Sequence, residues 1–331
     1  MIRLALLTGS VLLALSAAQV APAAAASPAL QLKLSTLPTN TPPSTSSANQ
    51  QGGPLVRFVA INLGSASTAG PVTVTDTLPA GLTPTAASIL PNGTGSCDLV
   101  GQTATCTRTT PLTPGEQLTG TIAFTTAALP DPTLLSDQAT LSGTGFPAVD
   151  VATDINVSAA DAPFDFLPGS AGLSSSIVDF GTLPVTQAGS HPAQLIVDMG
   201  LPVLRHSVLF PTSPDGGVRD LSATLPPGVV INPSATSVRC TEAELEAGGV
   251  DGCPYASQIG TARILTVVGQ DHTPIYNMVP PPGSASSFGL NAGGANLFVH
   301  ILGGVRAGDY TLSAGSNDII SNPSTPVFGV R

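Results

Sequence analysis

A chain of 331 residues with 42% hydrophobic but only 9% charged residues falls far below the roughly 25% charged content of ordinary soluble domains, which argues against a cytosolic enzyme of usual composition. Ten Lys and Arg against twenty Asp and Glu leave a formal charge of −10 without any basic stripe, excluding nucleic-acid recognition through clustered cations. Glycine (35) and proline (32) are frequent enough for many turns but stay below the roughly 25–30% of low-complexity disorder, so a folded, loop-punctuated chain is expected.

At the start, Met1-Ile2-Arg3, an apolar stretch over 4–15 and the run Ala21-Pro22-Ala23-Ala24-Ala25-Ala26 form the three regions of a secretory signal peptide, 1–26, with cleavage expected after Ala26. The apolar core is too short to span a bilayer, and no later run is long enough for a transmembrane segment. The mature chain is therefore read as exported, secreted or at the cell surface. Its first half, 27–158, shows short β-branched runs with period-two alternation at 30–34, 55–61, 72–78, 104–108, 118–125, 136–142 and 151–157, bounded by Gly, Pro and Asn. Such spacing predicts an antiparallel β-sandwich of immunoglobulin-like type. The Ser-, Thr- and Pro-rich stretch 35–54 is read as a flexible insertion after the first strand.

A boundary is expected near 159–172, followed by a second β-sandwich over 159–331 with strands near 193–199, 206–210, 221–225, 260–268, 296–301 and 310–314. The one helix signal is 241–247, where Thr241 can cap and Glu242, Glu244 and Glu246 follow. Phe328-Gly329-Val330-Arg331 reads as the middle of a strand, so a truncated product is expected. The segment Asp76-Thr77-Leu78-Pro79-Ala80-Gly81-Leu82 is echoed by Ala223-Thr224-Leu225-Pro226-Pro227-Gly228-Val229, either as two related modules or as two strands leaving through the same Leu-Pro-x-Gly turn.

Four cysteines in an exported chain read as disulfides. Cys97 with Cys106 and Cys240 with Cys253 is the simplest of three connectivities; zinc would need CxxC or finger-type histidines, and neither occurs. His191, His206, His272 and His300 form no HExxH or other close ligand pair, and no Gly-x-Ser-x-Gly elbow is present. Glu242, Glu244 and Glu246 are poor candidates for the paired acids of a glycosidase, since a solvated first helical turn explains them, and the chain has no Trp and three Tyr to stack on sugar. Asp150, Asp154 and Asp161, near the expected boundary, are the weak candidates for a calcium ion, although no EF-hand loop surrounds them. No cofactor is expected.

Ile61-Asn62-Leu63-Gly64, the run from Pro71 to Leu82, Cys97 and Cys106 flanking Gln102-Thr103-Ala104-Thr105, then Leu112-Thr113-Pro114-Gly115-Glu116 and Asp137-Gln138-Ala139-Thr140-Leu141-Ser142 follow one another in the first half. Through these segments it resembles the bacterial surface repeat catalogued as domain of unknown function 11. The second half is similar to segments of large secreted surface proteins of actinobacteria, through Ala188 to Pro192, Asn232-Pro233, Cys253-Pro254, Ile275-Tyr276-Asn277 and Gly308-Asp309-Tyr310. These resemblances imply a non-catalytic exported structural or adhesive protein, with cell-wall or host surface components as partners. The competing expectation is a carbohydrate- or peptidoglycan-binding accessory module or a hydrolase fragment, which would need an acid pair and an aromatic platform.

Overall fold

The computed structural model describes residues 27–45, 53–90, 93–167, 172–178, 192, 194–204, 213–214, 218–247, 252–266, 269–292, 297–317 and 327–330. The expected signal peptide 1–26, His191 and the expected strand 206–210, with His206, lie outside them. Among the described residues strands dominate, as the alternating sequence requires, and the one α-helix has six residues.

The first half is a sandwich of two sheets. One contains β1 (Leu30–Leu37), β3 (Leu55–Asn62), β8 (Gln117–Thr126) and β5 (Leu82–Leu90), in the order β1-β3-β8-β5. The other contains β2 (Asn40–Thr41), β10 (Val149–Val157), β9 (Thr133–Gly143), β4 (Val72–Thr77), β7 (Thr103–Arg108) and β6 (Gly95–Val100), in the order β2-β10-β9-β4-β7-β6. Four strands facing a sheet centred on β10-β9-β4 match the immunoglobulin arrangement, with β6 and β7 added as a hairpin at one edge. Alternation decides what enters the core. Phe58, Leu118, Ile122 and Phe124 from one sheet meet Val72, Val74, Leu141 and Ile155 from the other, all fully buried. Each such side chain contributes roughly 1.5–3 kcal/mol by leaving water. Gly120 stands opposite Phe58 in the β3–β8 register, and a methyl group there would overlap the Phe58 ring, so this glycine makes room for the aromatic.

Within the stretch 35–54, expected as a flexible insertion, residues 35–45 are built into the fold. Ser35, Thr36 and Leu37 continue β1 with Thr36 facing inward, and β2 pairs in parallel with Asn156 and Val157 at the end of β10. Thr45 and Thr126 then exchange backbone-to-hydroxyl hydrogen bonds of 2.9 and 3.0 Å, so only 46–52 lie outside the described residues of this stretch. Threonine and serine are at home on a pleated, half-buried surface, and here their polarity marks strand rather than linker.

The second half builds a nine-stranded sheet. Its strands are β11 (Leu173–Val178), β12 (Gln194–Gly200), β15 (Leu221–Thr224), β16 (Gln258–Thr266), β17 (Gly269–Asn277), β18 (Ser286–Ala292), β19 (Leu297–Val305), β20 (Leu312–Ser316) and β21 (Val327–Val330), ordered β11-β12-β21-β16-β17-β18-β19-β20-β15. A small ribbon pairs β13 (Val203–Leu204) with β14 (Ser213–Pro214). The helix α1 (Glu242–Ala247) begins at a capping box. Thr241 donates its backbone N–H and hydroxyl to Glu244 at 2.8 Å each, and the Glu244 N–H returns to the Thr241 hydroxyl at 3.3 Å. Leu245 on its inner face packs with Tyr276, Met278 and the cystine of Cys240 and Cys253.

The two halves touch through polar contacts on the outer face of the β1-β3-β8-β5 sheet. Lys33, the single lysine, pairs with Asp198 of β12 at 2.6 Å. Arg263 of β16 donates to the Gln117 side chain at 2.7 Å and to the Gly115 carbonyl. The Thr39 N–H donates to the Val203 carbonyl, and the Val203 N–H to the Thr39 hydroxyl, both at 2.9 Å. Arg57, on the same outward face beside Ser35, is buried enough to lower its guanidinium to about 10, and it stays charged at neutral pH.

Candidate functional site

The inward face of β4 reads Val72, Val74, Asp76, and that of β9 reads Asp137, Ala139, Leu141. Asp76 stands opposite Ala139 in the antiparallel register, which puts Asp137 on the diagonal, within the core. Both aspartates are 0% exposed. The Gln138 N–H lies beside Asp137 and holds its rise in check, and otherwise each carboxyl has the other as its main polar neighbour. Removing an anion from water without a cation beside it favours the protonated form. Burial, reinforced by the charge of Asp137, pushes Asp76 up to about 8, and burial pushes Asp137 up to about 6. The pair therefore holds a proton near neutrality, and its two titrations belong to the pair rather than to either residue. Arg108 is the inward cation on neighbouring β7, but it faces Val72, four residues and about 13 Å along the strand from Asp76. It is already engaged by Glu116, Thr110 and the carbonyls of Gln117 and Pro111.

Sealed carboxyls cannot meet a substrate, so the chemistry open to this pair is proton-linked cohesion between β4 and β9. Asn62 plays a comparable part at the other end of the sandwich. Its side chain accepts from the N–H groups of Ala29 and Gly64 and donates to the carbonyls of Ala66 and Leu112, at 2.8–3.1 Å, while fully buried. Four loop groups, two of them buried and two partly buried, are thereby satisfied by one amide.

The disulfides are Cys97–Cys106, directly opposite each other across the β6–β7 hairpin, and Cys240–Cys253, linking the residue before the α1 cap to the turn before β16. The calcium candidates are not brought together. Asp150 and Asp154 lie four residues apart on β10, about 13 Å along the strand, and Asp161 is exposed beyond its end. Asp150 instead accepts the Thr140 hydroxyl at 2.6 Å. Among the described residues no group of three or more His, Cys, Asp or Glu is placed to hold a metal. Glu244 is committed to the helix cap, which lowers its pKa, while Glu242 and Glu246 are exposed on the same short helix. His272 lies in β17 opposite Arg263, and His300 is half-buried in β19.

The two Leu-Pro-x-Gly echoes fold alike. The Leu82 N–H bonds to the Pro79 carbonyl and the Val229 N–H to the Pro226 carbonyl, with Gly81 and Gly228 at φ of +96° and +91°. A positive φ at the third position is what a type II turn demands, and glycine adopts it without strain.

No family model and no curated protein matches the chain. Among solved structures it is similar to a point variant of BcpA, the major pilin subunit of Bacillus cereus, at 12% identity and a TM-score of 0.31, over 52% of this chain and 53% of that one. BslA, a bacterial hydrophobin, aligns at 13% identity and a TM-score of 0.25, over 38% of this chain and 93% of its own. The major pilin SpaA of Corynebacterium diphtheriae aligns at 10% identity and a TM-score of 0.21, over 91% of this chain and 56% of the pilin. The chain thus spans about half the length of either pilin chain. With TM-scores this low, none of these likenesses carries an argument about the role of this chain. Among the described residues no helix is long and apolar enough to cross a membrane.

Proposed function

We infer that the chain is an exported, non-catalytic structural protein of the cell surface or extracellular medium, its first half a surface repeat of the domain-of-unknown-function 11 type. The observation that carries this reading is the pair of local disulfides, one in each half, with Cys106, Cys240 and Cys253 buried. Such bonds persist in oxidising compartments and are rare in the cytosol. Support also comes from the residues that carry the family resemblance. Asn62, Asp76, Gly81 and Asp137 all occupy buried or turn-forming structural positions rather than a cleft.

The test is fractionation of the native host into medium, wall, membrane and cytosol, with an antibody against 27–158, followed by N-terminal sequencing and thiol alkylation of the recovered protein. The expected product lies in the medium or wall, begins at Ser27 and has no alkylatable cysteine. A cytosolic product that keeps Met1 and four free thiols overturns the reading.

A further inference from the structure

The sheet of the second half is closed in an unusual place. Strand β21 lies between β12 and β16, antiparallel to both. Met199 and Gly200 pair with Val330 and Gly329 on one side, and Ile264, Leu265 and Thr266 pair with Val330, Gly329 and Val327 on the other. Among the described residues β12 and β16 do not pair with each other, so the β11–β12 hairpin joins the rest of the sheet through these four residues alone. Without β21, two strand edges with unpaired N–H and C=O groups would face one another across a one-strand gap, a ready template for an added strand.

The path into that gap is long. Residue 316 ends β20, and β16, β17, β18 and β19 stand between β20 and β21 in the sheet. Five strand spacings amount to about 24 Å. The ten intervening residues, 317–326, reach at most roughly 35 Å when fully extended. The gap thus lies within the segment's reach, and the same length of chain can carry the strand into the gap of a neighbour. The strand itself, Val327-Phe328-Gly329-Val330, has the β-branched and aromatic composition that favours sheet addition. Exchange of an identical element between copies preserves every backbone pairing and costs little beyond association.

We propose that the gap between β12 and β16 is a strand-exchange site, and that its occupant in an assembled state is the 327–330 strand of a second copy of this chain. This goes beyond the structural role proposed above and does not depend on cellular location.

The experiment uses the whole mature chain, 27–331. Gly329→Pro places proline at the residue that pairs with both neighbours, removing an N–H from the ladder, and so vacates the gap. A fluorescent peptide of sequence 321–331 is titrated into this variant and into the unaltered chain and followed by anisotropy. Saturable one-to-one binding to the variant, at least tenfold tighter than to the unaltered chain, and lost when the peptide itself carries Gly329→Pro, is the expected result. Equal binding of both peptides, or none, overturns the proposal. Should the variant fail to fold, unaltered chains in two isotopic masses are mixed, concentrated and warmed below their melting transition. Native mass spectrometry should then show mixed-mass dimers that excess peptide suppresses. Persistence of monomers alone overturns the proposal.

Discussion

Replacing Asp76 by Asn tests the buried carboxyl pair directly. In the native chain Asp76 is raised from 3.8 to about 8, so it keeps a proton that the unfolded chain has already released. An acid with a raised native pKa contributes stability that is complete below pH 4 and is lost as pH climbs through 8. At about 1.4 kcal/mol per unit, the span corresponds to a loss on the order of 6 kcal/mol, comparable with the whole stability of a domain. Between pH 6 and 8, where the pair still holds one proton that the unfolded chain has released, the native state loses roughly 1.4 kcal/mol per pH unit. For a first half of about 130 residues this is a fall in melting temperature of about 5 °C per unit. Asp76→Asn keeps the size of the side chain and removes its titration, so the slope between pH 6 and 8 should vanish and the variant should melt higher than the parent at pH 8. At pH 4.5 the two should lie close together. The assay is scanning calorimetry with far-ultraviolet circular dichroism over pH 4.5–9. Tyr255, Tyr276 and Tyr310 all lie in the second half, so tyrosine fluorescence separates its transition from that of the first. Equal pH slopes in parent and variant, or a variant less stable at pH 8, would refute the reasoning.

Asn62→Ala removes a buried amide that satisfies four loop groups and should cost about 3 kcal/mol in denaturant unfolding; a loss under about 1 kcal/mol would show that water takes its place. Gly120→Ala should cost at least about 2 kcal/mol because its methyl meets the Phe58 ring and the Ser88 carbonyl, and adding Phe58→Leu should recover part of that loss. Cys97→Ser with Cys106→Ser should lower the stability of the first half by about 2–3 kcal/mol, and an unchanged melting temperature would mean that the bond contributes nothing. Glu116 has a lowered pKa: burial acts to raise it, but the Thr113 N–H and hydroxyl together with Arg108 outweigh that effect. Its contribution is present above the ordinary carboxyl range and fades as pH falls, so Glu116→Gln should flatten the loss of stability below pH 4.5, measured by the same melts.

Much of the first sandwich is legible as alternation. The runs beginning at Leu55, Val72, Leu118 and Val151 each place β-branched or large apolar residues on one face, and each lies within or forms a strand. The strands that alternation missed share a physical cause. β5 carries Pro84 beside a register shift at a sheet edge, and β6 is largely exposed, so neither needs an apolar face. The same parity points to the buried pair. Counting inward from Val72 and Val74 reaches Asp76, and counting back from Leu141 and Ala139 reaches Asp137, but local pattern does not tell that the two strands are neighbours. The position of β21 between β12 and β16 is further from reach, since it depends on pairings across more than sixty residues.

The sparse charge takes on a physical meaning once placed in the fold. Lys33 and Arg263 join the halves, Arg108 ties the end of β7 to the loop before β8, and Glu244 closes a helix cap. Exposed pairs are worth little in water, whereas a charged group lodged against a partly dry seam gains from every hydrogen bond it makes. A chain with few charges that spends several of them on seams and loop ties, and leaves its outer strands to Thr and Ser, resists separation of its halves. These properties follow from where the residues lie rather than from their number.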